Sequence, residues 1–373
     1  MNSAKDYSIK SWIRIIPLIL LFMLINSCDK VDKPVGPVFE EEAWRDVAEA
    51  NGMNPDTLSS GFNTANAHQF IYSTLIMRNN TLIAEKYYYR DYTGDNQEEE
   101  RRHICSCTKS IISALIGIAV NEGFIPSLNQ KIMDYFPEYE SQIVDQRKFD
   151  IKIEHLLYMR GGFGSDDVHP EYWQPVANAL LQPLEVNPNS RWYYNSGGCH
   201  LLSAILTKAT GMSTLDFANQ YLFEPLEITP GHWWHDSDGI YGGGLWLHLR
   251  PRDLLKFGQL YYNKGKLNDK QIVPSLWVEN SVRNQQPVTW EVFPGGQDRT
   301  GYGYLWWNGY VNDYWSYHAN GYGGQLVFVI PDLDLVIVTT SNPNVPLDDC
   351  LYQIQTCIEW IKQYIIGSIT HYE

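Results

Sequence analysis

An apolar segment between Ser106 and Gly123 constrains the fold of this chain more than any other feature. Its apolar residues recur at helical spacing, at Ile111, Ile112, Leu115, Ile116, Ala119 and Val120. They cover most of the helix surface, which is typical of a helix buried on nearly all sides. Gly123 is a residue type that commonly ends a helix. We therefore expect a central helix that opens at Ser106, with the rest of a domain packed around it.

The first turn of this helix carries a hydroxyl and an amine. Ser106 and Lys109 are three residues apart, so they share a helix face with their Cβ atoms about 5–6 Å apart. A neutral lysine amine can take the serine proton and make the alkoxide that attacks a carbonyl. The partial positive charge at a helix N-terminus favours the negative charge that develops there. The alternative interpretation is an ordinary core helix in which Ser106 only caps the first turn.

The N-terminus has the pattern of a targeting segment. Basic residues precede an apolar run over residues 15–25, which is too short to span a membrane as a helix. The run ends in Leu24-Ile25-Asn26-Ser27-Cys28, which resembles a bacterial lipobox and implies cleavage before Cys28 and lipidation of its thiol. We expect residues 1–27 to be a lipoprotein signal peptide, 28–42 a polar tether, and 43–373 the folded domain. A plain signal peptide or an uncleaved anchor is the alternative.

Composition narrows the classes of partner. The net charge is −15 and no basic cluster is present, so nucleic acid is not an expected partner. We expect the protein to contact a membrane only through its lipid anchor. This anchor predicts a location at a bacterial cell envelope. Trp and Tyr are abundant, with 13 and 25 residues, and we interpret most of them as core or groove walls.

The cysteines and histidines do not predict a metal site or a cofactor. The chain has six cysteines, and we expect those other than Cys28 to be small buried residues. A C-x-C pair at Cys105 and Cys107 lacks the spacing of a zinc site. A further group contains possible ligands but does not match a zinc-hydrolase pattern; it comprises His232, His235, Asp236 and Asp238.

The order of predicted elements indicates an α+β fold. Strands are expected over 71–77 and 82–89, and again over 325–330 and 333–340. Between them the patterns are mostly helical, and a last amphipathic helix is expected over 347–366. Further elements are expected as helices over 201–210, 214–222 and 252–262 and a short strand over 245–249. This order predicts an antiparallel sheet assembled from the N- and C-terminal parts, with a helical lobe inserted between them.

Two further strings fit the chemistry expected of Ser106. Tyr193-Tyr194-Asn195 precedes a helix, and we assign Tyr193 as a phenol that relays protons beside Lys109, with Asn195 as a supporting amide. The string from His318 to Gln325 is glycine-rich and runs into a strand, so a substrate can approach its backbone closely. An N–H there, with that of Ser106, would make an oxyanion hole. Each string alone is also compatible with an ordinary loop.

Together, these strings resemble the serine β-lactamase and penicillin-binding-protein-like superfamily. The likeness is greatest to class C β-lactamase-related esterases and amidases, including the 6-aminohexanoate-dimer hydrolase type. Three further blocks resemble segments of that family, at residues 153–162, 252–258 and 303–307. The resemblance covers nearly the whole of residues 43–373 and implies a β-lactamase/transpeptidase-like fold.

The resemblance also implies roles for single residues. Ser106 would be the acylated nucleophile, Lys109 its general base, Tyr193 the proton relay to the leaving group and Asn195 a supporting residue. The oxyanion hole would use the N–H groups of Ser106 and Tyr322, while Asn320 and Gly321 occupy the third motif. No metal or cofactor is implied.

The third motif departs from the family pattern. Where lactamases typically have K-T-G, this chain has Ala319-Asn320-Gly321, and His318 lies one residue upstream. A shift of one residue turns a side chain to the other face of a strand. The cation that would bind a β-lactam carboxylate is therefore expected to be absent. We accordingly expect a serine hydrolase that cleaves a small ester, amide or peptide substrate. The alternatives are a β-lactamase, a D-Ala-D-Ala carboxypeptidase and a non-catalytic receptor.

Overall fold

The structure is a computed structural model, and it describes residues 43–88, 97–166, 174–283, 286–288 and 298–370. Residues 1–27, the tether over 28–42 and the lipidation site Cys28 lie outside these ranges, so their assignments stay predictions. Among the described residues, no helix combines the length and the apolar character needed to cross a bilayer.

An antiparallel sheet of eight strands forms the centre of the described chain, in the order β2-β1-β12-β11-β10-β9-β8-β7. Its first hairpin comes from the N-terminal part and its other strands come from the C-terminal part, as predicted. The strands are β1 Ile71–Arg78, β2 Thr81–Tyr87, β3 Arg102–His103, β4 His248–Leu249, β5 Lys266–Leu267, β6 Lys270–Gln271, β7 Gln286–Pro287, β8 Asp298–Tyr302, β9 Trp307–Val311, β10 Tyr314–Gly321, β11 Gln325–Ile330 and β12 Leu335–Ser341. Pairing of β1 with β12 joins the two parts, with Ile76 opposite Ile337.

Helices cover both faces of the sheet and form the inserted lobe. They are α1 Ala43–Ala50, α2 Pro55–Ala67, α3 Cys107–Asn121, α4 Ile153–Leu157, α5 Val176–Leu181, α6 Ser196–Thr210, α7 Thr214–Ala218, α8 Pro251–Tyr262, α9 Ser275–Val282 and α10 Leu347–Trp360. Two of them continue as a π-helical turn, α7 over Asn219–Phe223 and α10 over Ile361–Ile365. The predicted α+β architecture with an inserted helical lobe is confirmed.

Alternation along β11 and β12 divides the core into two clusters, because successive strand residues point to opposite faces. Val327 and Val336 belong to the cluster that contains α3 and α8. Phe328 and Ile337 belong to the cluster that contains α2 and α10. The central strands are therefore buried on both faces, and α3 lies between the sheet and the helical lobe.

Three predicted element boundaries differ from the structure. The strand expected over 245–249 is limited to His248–Leu249. The helix expected from Leu201 begins at Ser196, because the Asn195 side chain caps it five residues earlier. The helix expected over 214–222 changes to π-helical hydrogen bonding at Asn219. The first two differences matter for the site, since both segments reach it.

Close packing of α3 against α9 gives a stability prediction. A Cβ atom at Gly117 would lie 2.4 Å from ring atoms of Trp277. We expect Gly117→Ala to reduce the free energy of unfolding by about 1–3 kcal/mol, because overpacking forces side chains and backbone to shift. Denaturant unfolding followed by circular dichroism measures this change.

Gly367→Ala is the matched control for that experiment. The nearest atom to a Cβ at Gly367 would be 3.9 Å away, in Lys362. We expect this variant to unfold within about 0.5 kcal/mol of the parent protein. If Gly117→Ala had the same free energy of unfolding as the parent protein, α9 would have to move away from α3 without loss of stability, and the prediction would be contradicted.

Candidate active site

Ser106 lies at the N-terminus of α3 with its hydroxyl available for chemistry. Its side chain makes no capping hydrogen bond to the helix backbone, so the interpretation of Ser106 as only a cap is wrong. The hydroxyl oxygen instead accepts a hydrogen bond from Lys109 Nζ at 3.0 Å. Cys105, immediately before it, has a left-handed backbone with φ of 49°. The contact predicted from the three-residue spacing is therefore confirmed.

The Lys109 side chain is almost completely enclosed, with 2% of its surface exposed. Besides Ser106, its Nζ donates to the carbonyl oxygen of Gly244 at 2.8 Å. Nζ also lies 4.7 Å from the centre of the Tyr194 ring. These partners come from three distant parts of the chain and hold the lysine nitrogen against the serine oxygen.

The phenol of the site belongs to Tyr194, so the assignment of Tyr193 is wrong. The Tyr194 phenol lies beside both Ser106 and Lys109 and interacts with each of them. Tyr193 donates its backbone N–H to the Met159 carbonyl, and its ring packs beneath the Arg191 guanidinium. Neighbouring residues of an extended segment project to opposite sides, so only one of the two tyrosines can face Ser106.

Asn195 has a structural role instead of the predicted supporting role beside the lysine. Its side-chain oxygen accepts the Gly198 N–H at 2.7 Å and caps α6. Its side-chain nitrogen donates to the Gly164 carbonyl at 2.7 Å and to Gln182 Oε1 at 3.0 Å. The amide therefore fixes the start of α6, which in turn fixes the position of Tyr194.

Ser196 and Asp166 form a polar pair beside the site that the sequence analysis did not identify. The Ser196 N–H and Oγ donate to the two Asp166 carboxylate oxygens at 2.6 and 2.5 Å. The Asp166 N–H in turn donates to the Tyr194 carbonyl at 3.0 Å. The sequence signal for this pair is that Ser196 lies two residues after Tyr194. It could be recognised only if Tyr194, and not Tyr193, had been assigned to the site.

Neighbouring groups set the proton affinities of the lysine and the phenol. Burial lowers the pKa of Lys109, but Tyr194, Cys199 and Asp166 together outweigh it and leave this pKa above its usual value. Burial raises the pKa of Tyr194, although Lys109 and Ser106 act in the opposite direction. At neutral pH the site therefore rests with a charged lysine and a neutral phenol.

The end of β10 packs against the chain that leads to Ser106. A Cβ atom at Gly321 would lie 2.4 Å from the Ile104 carbonyl oxygen, so only glycine fits there. The next N–H, that of Tyr322, is in weak contact with the Cys105 thiol. The Ser106 N–H has no backbone acceptor among the described residues. The two amides thus belong to adjoining segments of one cleft.

Asn320 and His318 lie on the same face of β10, and their side chains contact each other weakly at 3.5 Å. Neither bonds to Ser106 or Lys109. His318 stacks between Phe328 and Trp307, and burial lowers the pKa of its ring to about 3. His318 is therefore uncharged near neutral pH and provides no cation for a carboxylate. Trp307 also stacks on Tyr194, with ring centres 6.0 Å apart.

The group of possible ligands near Asp236 serves to fix a loop. Asp236 accepts hydrogen bonds from His200 Nε2 and from the N–H groups of Asp238 and Ile240, each at 2.9 Å. His235 Nδ1 lies 2.8 Å from the Asp236 carbonyl oxygen. Within the described ranges, no three potential ligand side chains are grouped in a way that would hold a metal ion. The remaining cysteines, at 105, 107, 199, 350 and 357, are free thiols and buried, as predicted.

Comparison with known proteins identifies the family. The model of the Beta-lactamase family matches residues 72–353, which include Ser106, Lys109, Tyr194 and Gly321. The chain therefore belongs to the β-lactamase family of serine hydrolases and transpeptidase-like proteins.

One protein of similar sequence and two solved structures of similar fold are compared with this chain. An uncharacterized protein of Alkalihalophilus pseudofirmus is 26% identical over 303 residues, which cover 72% of this chain and 83% of the relative. A structure assigned as a 6-aminohexanoate-dimer hydrolase from Bacillus anthracis superposes with a TM-score of 0.68 at 18% identity, covering 83% of each chain. EstCE1, a hydrolase with promiscuous acyltransferase activity, superposes with a TM-score of 0.63 at 14% identity, covering 83% of this chain and 98% of its own. At these identities the two solved structures show a shared fold.

The two adjacent tyrosines give a direct test of the site. We expect Tyr194→Phe to slow covalent labelling of Ser106 by a fluorophosphonate about 10²-fold or more, because it removes a proton-transfer group. Mass spectrometry of the adduct over time measures the labelling rate.

Tyr193→Phe is the matched control, because it removes the same hydroxyl one residue away. We expect it to be labelled within a few-fold of the parent rate. Slow labelling of Tyr193→Phe together with normal labelling of Tyr194→Phe would restore the original assignment and contradict the geometry described above.

Proposed function

We propose that this protein is a serine hydrolase that cleaves ester or small amide bonds through an acyl-enzyme on Ser106. The observation that carries the proposal is the 3.0 Å contact between Lys109 Nζ and Ser106 Oγ, with the Tyr194 phenol beside both. Nucleophile, base and proton relay within hydrogen-bonding reach of one another are what acyl transfer requires. The likeness to hydrolase folds supports the same reaction class.

The first half of the reaction forms a bond from Ser106 Oγ to the substrate carbonyl carbon. The hydroxyl proton passes to the Lys109–Tyr194 pair as the oxygen attacks. The carbonyl oxygen becomes an oxyanion, which the N–H groups of Ser106 and Tyr322 are placed to bind. Each such donor contributes roughly 2.7–4 kcal/mol of transition-state stabilisation. Substrate binding would displace the weak contact of the Tyr322 N–H with the Cys105 thiol.

The second half releases the products. The bond from the carbonyl carbon to the leaving oxygen or nitrogen breaks, and Tyr194 is placed to return the proton to that atom. A water molecule then attacks the carbonyl carbon of the acyl-serine and gives one proton to the same pair. The bond from that carbon to Ser106 Oγ breaks, the acid product leaves, and the pair returns the proton to Oγ. Lys109 and Tyr194 therefore work as one unit that gains and loses a single proton in each half.

The third motif favours an ester or amide over a β-lactam. Ala319 occupies the place where lactamases have lysine, and the neighbouring His318 is uncharged because burial lowers its pKa. A β-lactamase or D-Ala-D-Ala carboxypeptidase remains the second enzymatic candidate, and a non-catalytic receptor is the third. A β-lactam that stably acylates Ser106, detected as a mass increase, would favour the second candidate. Failure of activated esters and β-lactams alike to label Ser106 would favour the receptor.

We also propose that the protein works at a bacterial cell envelope, held to a membrane by a lipid on Cys28. The lipobox-like sequence before Cys28 supports this location. Cys28→Ala is expected to release the protein from the membrane fraction, and an unchanged distribution would count against the anchor.

The roles of Ser106 and Lys109 are tested by hydrolysis of a p-nitrophenyl ester. We expect Ser106→Ala and Lys109→Ala to lower kcat/KM by about 10³-fold or more, because each removes a group that takes part in bond formation. Steady-state absorbance measurements on purified variants provide the values.

Tyr322→Ala is the control for this pair of variants. Its proposed contribution is a backbone N–H, which the substitution retains, and its hydroxyl donates to the Val345 carbonyl outside the catalytic group. We expect it to keep most of the activity. Full activity of Ser106→Ala would remove the proposed nucleophile.

The pH dependence follows from the two raised pKa values. With Lys109 charged and Tyr194 neutral, the pair must lose one proton before it can act as a base. We expect kcat/KM to increase with pH and to be still increasing at about pH 9, one unit below the ordinary pKa of a tyrosine.

Circular dichroism at each pH would exclude unfolding as the cause of a change in rate. A plateau reached near pH 7 would mean that the base already lacks its proton there, which would contradict the direction of the two shifts.

A further inference from the structure

A cavity of about 480 Å³ is lined in part by segments that continue to the candidate active site. One of its walls is the short β3–β4 pair, where His103 lies opposite His248. Both strands continue into the site, since His103 is three residues before Ser106 and Trp246 is two residues after Gly244. The Trp246 N–H donates to His103 Nε2 at 2.9 Å and joins the two segments. Two of the segments that line the cavity therefore lead directly into the candidate active site.

The cavity wall carries one arginine whose charge is not balanced. Arg102 is paired with Glu100, and its guanidinium also lies 4.3 Å from the centre of the Tyr72 ring. Arg101 donates from Nε to the Thr229 carbonyl at 2.8 Å. Among the described residues, no carboxylate lies within ion-pair distance of Arg101. A guanidinium presents several N–H donors in a plane, so the remaining donors of Arg101 are available to a ligand.

His248 lies beside Arg101 on the same wall. Its Nδ1 lies 2.8 Å from the His232 carbonyl oxygen, so that nitrogen carries the proton. Its Nε2 has no protein partner in the described part of the chain. Arg101 and His248 converge at Gly231, where a Cβ atom would lie 2.9 Å from Arg101 side-chain carbons and 3.1 Å from His248 Cβ.

His103 does not add to the positive charge of this wall. Its Nε2 accepts the Trp246 N–H, which requires an unprotonated nitrogen. Burial and the neighbouring His248 lower the pKa of its ring to about 4. Arg102 and Glu100 also line the cavity but pair with each other, so Arg101 is the cation of the described lining that has no ion-pair partner among the described residues.

Aromatic side chains border the same cavity. Trp246 lines it, and so does Trp234, which is 57% exposed and packs edge-on against His232. An exposed tryptophan at the border of a cavity is a common feature of a ligand-binding surface. The wall thus combines a flat apolar surface with one unpaired cation.

We propose that this cavity binds a carboxylate that the substrate carries, with Arg101 as the charged partner. Trp234 and Trp246 would contact the carbon chain between the carboxylate and the scissile bond. The proposal rests on the proposed hydrolase function, since it names the substrate class of the same site. The position differs from the third motif on β10, where the corresponding charge is missing.

Three phenyl esters test the proposal and locate the carboxylate. Phenyl butyrate is neutral, monophenyl adipate has its carboxylate on the acyl part, and 4-(butyryloxy)benzoate has it on the leaving part. We expect Arg101→Gln to reduce kcat/KM about tenfold for one of the two charged esters, through a higher KM, because a charge-assisted contact is lost. Hydrolysis of phenyl butyrate should be unchanged, and Arg101→Lys should restore part of the loss.

Arg147→Gln is the control for a general change in charge, because Arg147 pairs with Asp145 away from the cavity. It should leave all three esters unchanged. Equal rates for Arg101→Gln and the parent on both charged esters, or an equal loss on all three, would overturn the cavity assignment while leaving the hydrolase function intact.

If the parent protein hydrolyses none of the esters, the proposed function fails and the cavity is tested by binding. Isothermal titration of the Ser106→Ala protein with each charged ester gives a Kd that does not depend on turnover. Adding Arg101→Gln should weaken the binding of one ester about tenfold. No binding, or an unchanged Kd in the double variant, would refute the cavity proposal.

Discussion

The buried Lys109 ammonium is the group on which the arrangement of the site depends. A buried charge is costly unless its hydrogen-bonding capacity is satisfied and its charge is balanced. Here Ser106, Gly244 and Tyr194 surround the nitrogen, and Asp166 supplies negative charge nearby. The same contacts that make burial of the charge tolerable also align a nucleophile with a phenol. Stability and chemistry therefore rest on one set of hydrogen bonds.

Glycines allow the segments that meet at Lys109 to approach each other. A Cβ atom at Gly243 would lie 2.0 Å from the Cys199 carbonyl oxygen in α6, and one at Gly321 would meet the chain before Ser106. Without these close approaches the Gly244 carbonyl and the Tyr322 N–H would be held farther from the helix start. The sheet, the helical lobe and α3 thus approach one another at glycines, which have no side chain to hold the segments apart.

Local patterns predicted the parts of the site that are close in sequence. The spacing of Ser106 and Lys109 gave their contact, because a helix fixes which residues share a face. The choice between Tyr193 and Tyr194 depends on which of the two side chains of an extended segment points toward Ser106. The flanking sequence does not reveal this direction. The Gly244 carbonyl and Asp166 are brought in by tertiary packing, so no local pattern identified them. The hairpins β1–β2 and β11–β12 were predictable since clear turn signals separate their strands. The strands β7 to β10 were not predicted, and caps such as Asn195 shifted helix boundaries.

The ring stack through Tyr194, Trp307, His318 and Phe328 joins the phenol to the opposite side of the sheet. Phe328 belongs to the core cluster that contains α2 and α10, while Tyr194 packs against the cluster that contains α3. The Tyr194 ring is thus connected, through Trp307 and His318, to Phe328 in the layer of α2 and α10. Substitutions in the layer of α2 and α10 would therefore be expected to disturb the orientation of the Tyr194 ring, and with it any reaction at Ser106, before they unfold the protein.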